Sequence, residues 1–478
     1  MINSNITRLG FIQGFVFVAT SLALASCAFA QSEEVSKPNI VLIIGDDISA
    51  DDFGCYGHPN IRTPNIDKLA SNGVRFTNAY LTTSQCSPTR CSVITGRYPH
   101  NTGAPNLHSP LPKGQILFPA LLKEAGYYTG GSGKWHMGDY AKTAFHKVLG
   151  GYSWKTGGEE HWIPSLEQRE KDKPFFMWLA SSDAHRPFMP DKEAKPHTLE
   201  DAIIPPYLVD TPGVRKDMAQ YYDEVSRMDR YVGLVVAELK RQNVYDNTCI
   251  IFMTDNGRPM VRCKTRLLDS GIKTPLIVHW PKGLKEKGTV CDSLVSVLDI
   301  APMIVELAGL KSPDTFQGVS MAPLLNSPKK TIRKCVFAEH NWHAQTAHER
   351  MVRKGDYVYI RNSLPNQPAI FHKDSECPQK DLREWNKAGK LTPAQFDPLL
   401  SPRPAEELFN VKKDFHQLKT LVGNPEYLEV LKVMRALMDD WKERTGDTEP
   451  PKDLAKKRNK FVPGKAKNAS KIKDSGPR

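Results

Sequence analysis

The stretch that decides the fold is residues 39–47, Asn-Ile-Val-Leu-Ile-Ile-Gly-Asp-Asp, where an unbroken apolar run at 40–44 leads straight into the paired carboxylates of Asp46 and Asp47. A strand with one wet face alternates in polarity, whereas one that is apolar throughout belongs to a sheet covered on both faces. Similar apolar stretches recur at 127–131, 175–180, 248–253 and 275–279, separated by helical segments at 66–72, 119–125 and 218–241. This alternation predicts an α/β fold with a large, mixed but mostly parallel central sheet flanked by helices.

In such a sheet the carboxyl ends of the strands form the ligand crevice, so the polar residues that directly follow the apolar runs are the first candidates for a site. Four groups qualify: Asp46 and Asp47, Lys134 and His136, Asp183 and His185, and Asp255 and Asn256. They are expected to converge. Carboxylate and amide oxygens are hard donors that suit Ca²⁺ or Mg²⁺ better than zinc; each pair taken singly is more often a helix or turn cap, and together at strand ends the metal reading overtakes it.

Cys86-Ser87-Pro88-Thr89-Arg90 is predicted to open a short helix that runs to about Thr95 and stops at Gly96-Arg97. Pro88 suits a first turn and Gly96 a C-terminal stop. Cys86 then lies at a helix N-terminus, where backbone N–H groups favour an anion and Arg90 adds a fixed charge. It reads either as a nucleophile in an anion site or as an inert buried cysteine, and Cys91 reads as core. Lys134, His136, His185 and Lys264 are the cations and proton carriers that chemistry on a tetrahedral anion requires.

After about residue 328 the pattern changes to short strands at 334–339 and 350–361, the second broken by Lys354-Gly355-Asp356. A closing helix follows, with Asn424 as its cap, Pro425 in its first turn, a stripe of Leu428, Leu431, Met434, Met438 and Trp441, and Gly446 as its stop. The expected division is a signal segment at 1–30, a catalytic domain at 38–328, a C-terminal subdomain of antiparallel sheet plus helix at 329–448, and a basic tail at 449–478.

The composition, 40% hydrophobic and 25% charged over 478 residues, is that of an ordinary globular protein of about two domains. The net charge of +12 does not mark a nucleic-acid surface. Residues 452–478 carry ten Lys or Arg against Asp453 and Asp474, so +8 of it belongs to a tail that reads as a solvated arm or a holder of polyanions. Arg8 and the apolar run at 9–25 form a signal peptide, short for a membrane span. Cleavage fits either Ala28-Phe29-Ala30 before Gln31 or a lipobox, Leu24-Ala25-Ser26-Cys27, so export is expected and membrane attachment only through a lipid on Cys27. The nine cysteines have no CxxC spacing, which argues against structural zinc.

Cys86-x-Pro88-x-Arg90 followed by Thr95-Gly96-Arg97 resembles the sulfatase signature, and Gly133-Lys134-Trp135-His136 resembles its second signature. Asp46-Asp47 and Asp255-Asn256-Gly257 fall in the family's order, so the resemblance covers residues 38–445. It implies an alkaline-phosphatase-like fold and the hydrolysis of sulfate esters or sulfamates. It also implies oxidation of Cys86 to formylglycine (3-oxoalanine) by a formylglycine-generating or anaerobic sulfatase-maturating enzyme, and one Ca²⁺ held by Asp46, Asp47, residue 86, Asp255 and Asn256. Arg90 and Lys134 would hold the formylglycine, His185 and Lys264 would meet sulfate and the leaving group, and His136 would help to eject sulfate.

Asp255-Asn256-Gly257-Arg258-Pro259, Lys264 and Gly271-Ile272-Lys273-Thr274-Pro275 are similar to the branch containing heparan N-sulfatases, which implies a sulfated carbohydrate substrate. On that reading His100, His108, His343 and His348 line a sugar pocket. The segment between His136 and Pro174 is short for the family, and such loops usually build substrate subsites. Two rivals remain in view: a phosphonate or phosphodiester hydrolase, whose relatives tend to carry His where Asn256 stands, and a catalytically silent glycan-binding homologue.

Overall fold

The first strand, β1 (Asn39–Gly45), is buried at every position. The structure is a computed structural model that describes residues 37–151, 157–191, 193–367, 369 and 377–450; the predicted signal segment, with Cys27, and the basic tail from residue 451 lie outside these residues. Beyond β1 the chain forms β2 (Val74–Phe76), β3 (Ala79–Tyr80), β4 (Tyr128–Gly133), β5 (Lys147–Leu149), β6 (Phe175–Ala180), β7 (Thr248–Thr254), β8 (Leu276–His279), β9 (Thr289–Cys291) and β10 (Val295–Ser296). Eight of these make one sheet in the order β5-β4-β6-β1-β7-β8-β2-β9, and β3 pairs with β10 beside it. β1 runs parallel to both β6 and β7, while β8 is antiparallel to β7 and β2, so the sheet is mixed and mostly parallel.

The unbroken apolar runs follow from cover on both faces. Ile40, Leu42 and Ile44 pack with Phe176, Trp178, Ile251 and Met253 on one side. Val41 and Ile43 pack with Met177, Leu179, Ile250 and Phe252 on the other. The helix Pro212–Arg241 supplies much of that second face through Met218, Tyr221, Val225 and Met228. It starts earlier than the apolar periodicity suggests, because Pro212 occupies its first turn and the Thr211 side chain accepts the Val214 N–H at 3.1 Å.

A second sheet, antiparallel throughout, comprises β11 (Val336–Trp342), β12 (Thr346–Lys354), β13 (Tyr357–Asn362) and β14 (Glu406–Asn410) in that order. The predicted run at 350–361 is a hairpin, turning at Gly355 with φ +55°. The closing helix, Leu428–Thr445, ends at Gly446 in the left-handed region, and Asn424 caps the short turn Pro425–Tyr427 before it. Leu431, Met434, Met438 and Trp441 are buried against Phe337, Val352, Tyr359 and Leu408. Leu428 leaves the predicted stripe and is 48% exposed, since it opens the helix before the chain reaches the sheet.

Candidate active site

The four polar groups lie at the carboxyl ends of β1, β4, β6 and β7 and converge except for the Asp183 carboxylate, which is held by Arg227 instead, and backbone hydrogen bonds continue past the strand ends to hold them. Asp46 N–H donates to Asp183 O at 2.8 Å, Asp255 N–H to Gly45 O at 3.0 Å, and Lys134 N–H to Ala180 O at 3.1 Å. Gly133 has φ +80°, and a Cβ there would run into Ala180 O, so only glycine lets the chain turn so close to β6 before Lys134. Cys86 is the first residue of the helix Cys86–Thr95 and is 1% exposed; Gly96 ends that helix with φ +61°.

Asp46, Asp47, Cys86 and Asp255 each present a donor atom within 4.8 Å of the others, and all four are buried. Three cations face the three carboxylates. Arg90 donates from Nε to Asp255 Oδ2 at 2.8 Å and from Nη1 to Lys134 O at 3.0 Å, and its Nη2 lies 2.7 Å from the same Asp255 oxygen as an ion pair. Lys134 Nζ is paired with Asp46, and Lys264 Nζ meets both oxygens of Asp47 at 2.7 Å. Asn256 Nδ2 donates to Asp47 Oδ1 at 2.7 Å, and Cys86 Sγ lies 3.7 Å from the same oxygen. Two buried acceptors, Asp46 Oδ1 and Asn256 Oδ1, have no hydrogen-bond partner. Such orphans are expensive, and with three carboxylates they make an all-oxygen donor set that fits a hard divalent cation such as Ca²⁺.

Burial pushes the Cys86 thiol far above its ordinary range, and Lys134 and Lys264 do not offset it. As a thiol it is a poor nucleophile. Burial opposes charge on Lys264, but the Asp47 carboxylate prevails and holds its ammonium on. Burial followed by the charge of Lys134 keeps His136 neutral, and burial with Lys264 pushes His185 down to about 3. His185 Nδ1 lies 2.7 Å from Arg186 O, to which it can only donate, so in the neutral ring Nε2 carries the lone pair.

A pocket of about 530 Å³ opens over Cys86, with Lys134, His136, His185 and Lys264 in its wall. His108 and His343 line it as well. His100 and His348 do not. His100 is 2% exposed, with Nδ1 2.6 Å from Glu339 Oε2 and its ring against Trp441. His348 is buried in β12, with Nδ1 3.1 Å from Ser363 Oγ and Nε2 3.1 Å from Thr448 O. Both are polar anchors of the second sheet. His100, Glu339 and Asp447 also form a compact group, but Glu339 is taken up by His100 and Asp447 by Arg350.

Leu107 and Trp135 add apolar wall that the motifs do not announce, although Trp135 stands inside one of them. Gln85 and Ser87, on either side of Cys86, are braces: Gln85 Nε2 donates to Trp342 O at 2.8 Å, and Ser87 Oγ accepts the His108 N–H at 2.8 Å. Neither carries a signal in sequence, because their partners are remote in the chain.

The chain matches the Sulfatase family over residues 38–310, and over residues 263–367 it matches the family described as N-sulphoglucosamine sulphohydrolase, C-terminal. It is 28% identical to human N-sulphoglucosamine sulphohydrolase, over 86% of this chain and 90% of that one. It is 29% identical to an ulvan-active sulfatase of Formosa agariphila, over 86% of this chain and 76% of the other. A solved structure of a protein in complex with its substrate, D-glucosamine-2-N,6-O-disulfate, shares the fold with a TM-score of 0.67 at 20% identity, covering 85% of this chain and 98% of that one.

Proposed function

Because the chain belongs to the sulfatase family, we propose that it releases inorganic sulfate from a sulfated carbohydrate, as an ester or a sulfamate, using a formylglycine made from Cys86 and one Ca²⁺. The hydrated aldehyde supplies a hydroxyl nucleophile in place of the thiol, and the cation lowers that hydroxyl's pKa and neutralises sulfate oxygen. Asp46, Asp47, Asp255 and Asn256, with residue 86, would hold the cation.

The chain's own residues do the rest. Arg90 fixes Asp255 and the Lys134 carbonyl together, which sets the floor of the site. Lys134 and Lys264 bring two buried ammonium groups to the pocket, where a sulfate dianion needs charge in a low dielectric. Lys264 carries a proton for the leaving oxygen or nitrogen, and His185 presents a neutral imidazole beside it. His136, held neutral, is able to accept a proton as sulfate departs.

The observation that carries this reading is the buried quartet of Asp46, Asp47, Cys86 and Asp255, whose Cys86 lines a pocket walled by two lysines and four histidines. The match to the N-sulphoglucosamine sulphohydrolase C-terminal family favours an N-sulfated glucosamine unit as substrate. A maturation enzyme that oxidises Cys86 is the implied partner, and the periplasm or the cell exterior the implied location. A panel of N- and O-sulfated mono- and disaccharides, scored for free sulfate, tests it. Release from N-sulfated glucosamine supports the substrate; release only from O-sulfated sugars overturns it; and no release from any member overturns the activity.

A further inference from the structure

His108 and His136 lie on separate loops, and both hold φ near +60°, a region unfavourable for residues with a Cβ. Their rings nevertheless meet. His108 Nδ1 is 2.6 Å from His136 Nε2, with centroids 4.7 Å apart. The loop carrying His108 is clamped at two points: its own N–H donates to Ser87 Oγ at 2.8 Å, and the Leu107 N–H donates to Trp342 O at 3.2 Å. Trp342 O also accepts from Gln85 Nε2. The loop is therefore fastened to both neighbours of residue 86, one directly and one through a shared carbonyl. On the far side of the pair, His136 Nδ1 is buried without a hydrogen-bond partner in a ring that lines the pocket, while His108 is exposed.

In a neutral imidazole, the bond made by one nitrogen fixes the tautomer and hence the role of the other. We propose that His108 is the positioning residue of His136, accepting its Nε2–H so that Nδ1 is left as the lone-pair acceptor of a ring that shares the pocket with residue 86, and that the pair is the route by which a proton leaves the site. The proposal rests on the sulfatase reading for its use in turnover. When Nδ1 of His136 takes up a proton, its Nε2 proton passes to Nδ1 of His108 and the Nε2 proton of His108 passes to water. One proton crosses, and both rings end neutral.

The test has two arms. In the full-length Cys86→Ala protein, which needs no maturation, ¹⁵N spectra of the imidazoles are expected to show His136 as a single tautomer protonated at Nε2. Adding His108→Ala abolishes that signature, and His108→Asn, whose amide oxygen can accept one hydrogen bond, restores it. In the protein carrying Cys86, with equal aldehyde content verified by mass spectrometry, His108→Ala lowers kcat about 10- to 100-fold with KM little changed, and His108→Asn recovers part of the loss. His136 resonances that ignore His108→Ala overturn the proposal, and so does a raised KM at unchanged kcat, which makes His108 a sugar contact. A wild-type protein that shows the tautomer but releases no sulfate would leave the pairing standing and remove the sulfatase reading instead.

Discussion

Removing divalent cation is expected to lower the thermal stability of the protein by an amount that the site itself sets. Asp46 Oδ1 and Asn256 Oδ1 are buried and unbonded, and each such acceptor costs about 1–3 kcal/mol. A cation that satisfies both regains part of that, less the cost of drawing Lys134 from Asp46 and Lys264 from Asp47. The net gain is therefore nearer the lower end, and the linkage relation gives a matching figure of about 2.7 kcal/mol when free cation is at 100 times its dissociation constant. In a folded unit of this size each kcal/mol moves the midpoint by roughly 2 °C, so chelation is expected to lower it by about 5 °C. The assay is calorimetric melting in EDTA and in graded CaCl₂, on the wild type and on Asp255→Asn. Superimposable melts with and without calcium would refute the reasoning, as would an undiminished calcium shift in Asp255→Asn.

Other outcomes follow from the same geometry. Cys86→Ala and Asp255→Ala are each expected to abolish sulfate release while circular dichroism reports an intact fold; release at near wild-type rate by either removes that residue from the mechanism. Arg350 grips Asp447 through Nε and Nη2 at 2.6 and 2.8 Å in a buried setting, so Asp447→Ala should cost about 3–5 kcal/mol in urea unfolding without altering the calcium response. His348 is pushed down to about 3, by burial and then by Arg350, whereas an unfolded histidine titrates near ~6.5. The unfolded chain thus protonates first on acidification, and the contribution of His348 is whole above ~6.5 and lost as pH falls toward about 3. His348→Gln should flatten the decline of urea midpoints across that window; an unchanged slope would show that His348 does not drive it.

The central sheet was legible because β1, β6 and β7 are covered on both faces and therefore read as unbroken apolar runs. β4 was placed less well: its end, Gly130, Gly131 and Gly133, has no side chains to show the period, because Met177, Trp135 and Ala180 crowd it. β14 escaped notice because its first residues, Glu406 and Glu407, look like surface. In the structure Glu406 is held by Arg435 and Glu407 faces Arg266. The convergence of Asp46, Asp47, Cys86 and Asp255 was legible because each follows a strand or opens a helix, where fold physics puts ligands. The four histidines proposed for a sugar pocket were legible only by half, His108 and His343 lining it and His100 and His348 not, since nothing local separates His108, which meets His136, from His100, which is locked to Glu339. That difference is decided by β11, far along the chain.

The central claim is that residue 86 works as an aldehyde hydrate rather than as a thiol, and its most direct test is mass spectrometry of the peptide containing Cys86 from protein that releases sulfate. The account predicts that the thiol is replaced by an aldehyde, in a fraction that tracks specific activity as maturation enzyme is supplied or withheld. An intact cysteine at position 86 in fully active protein would contradict it.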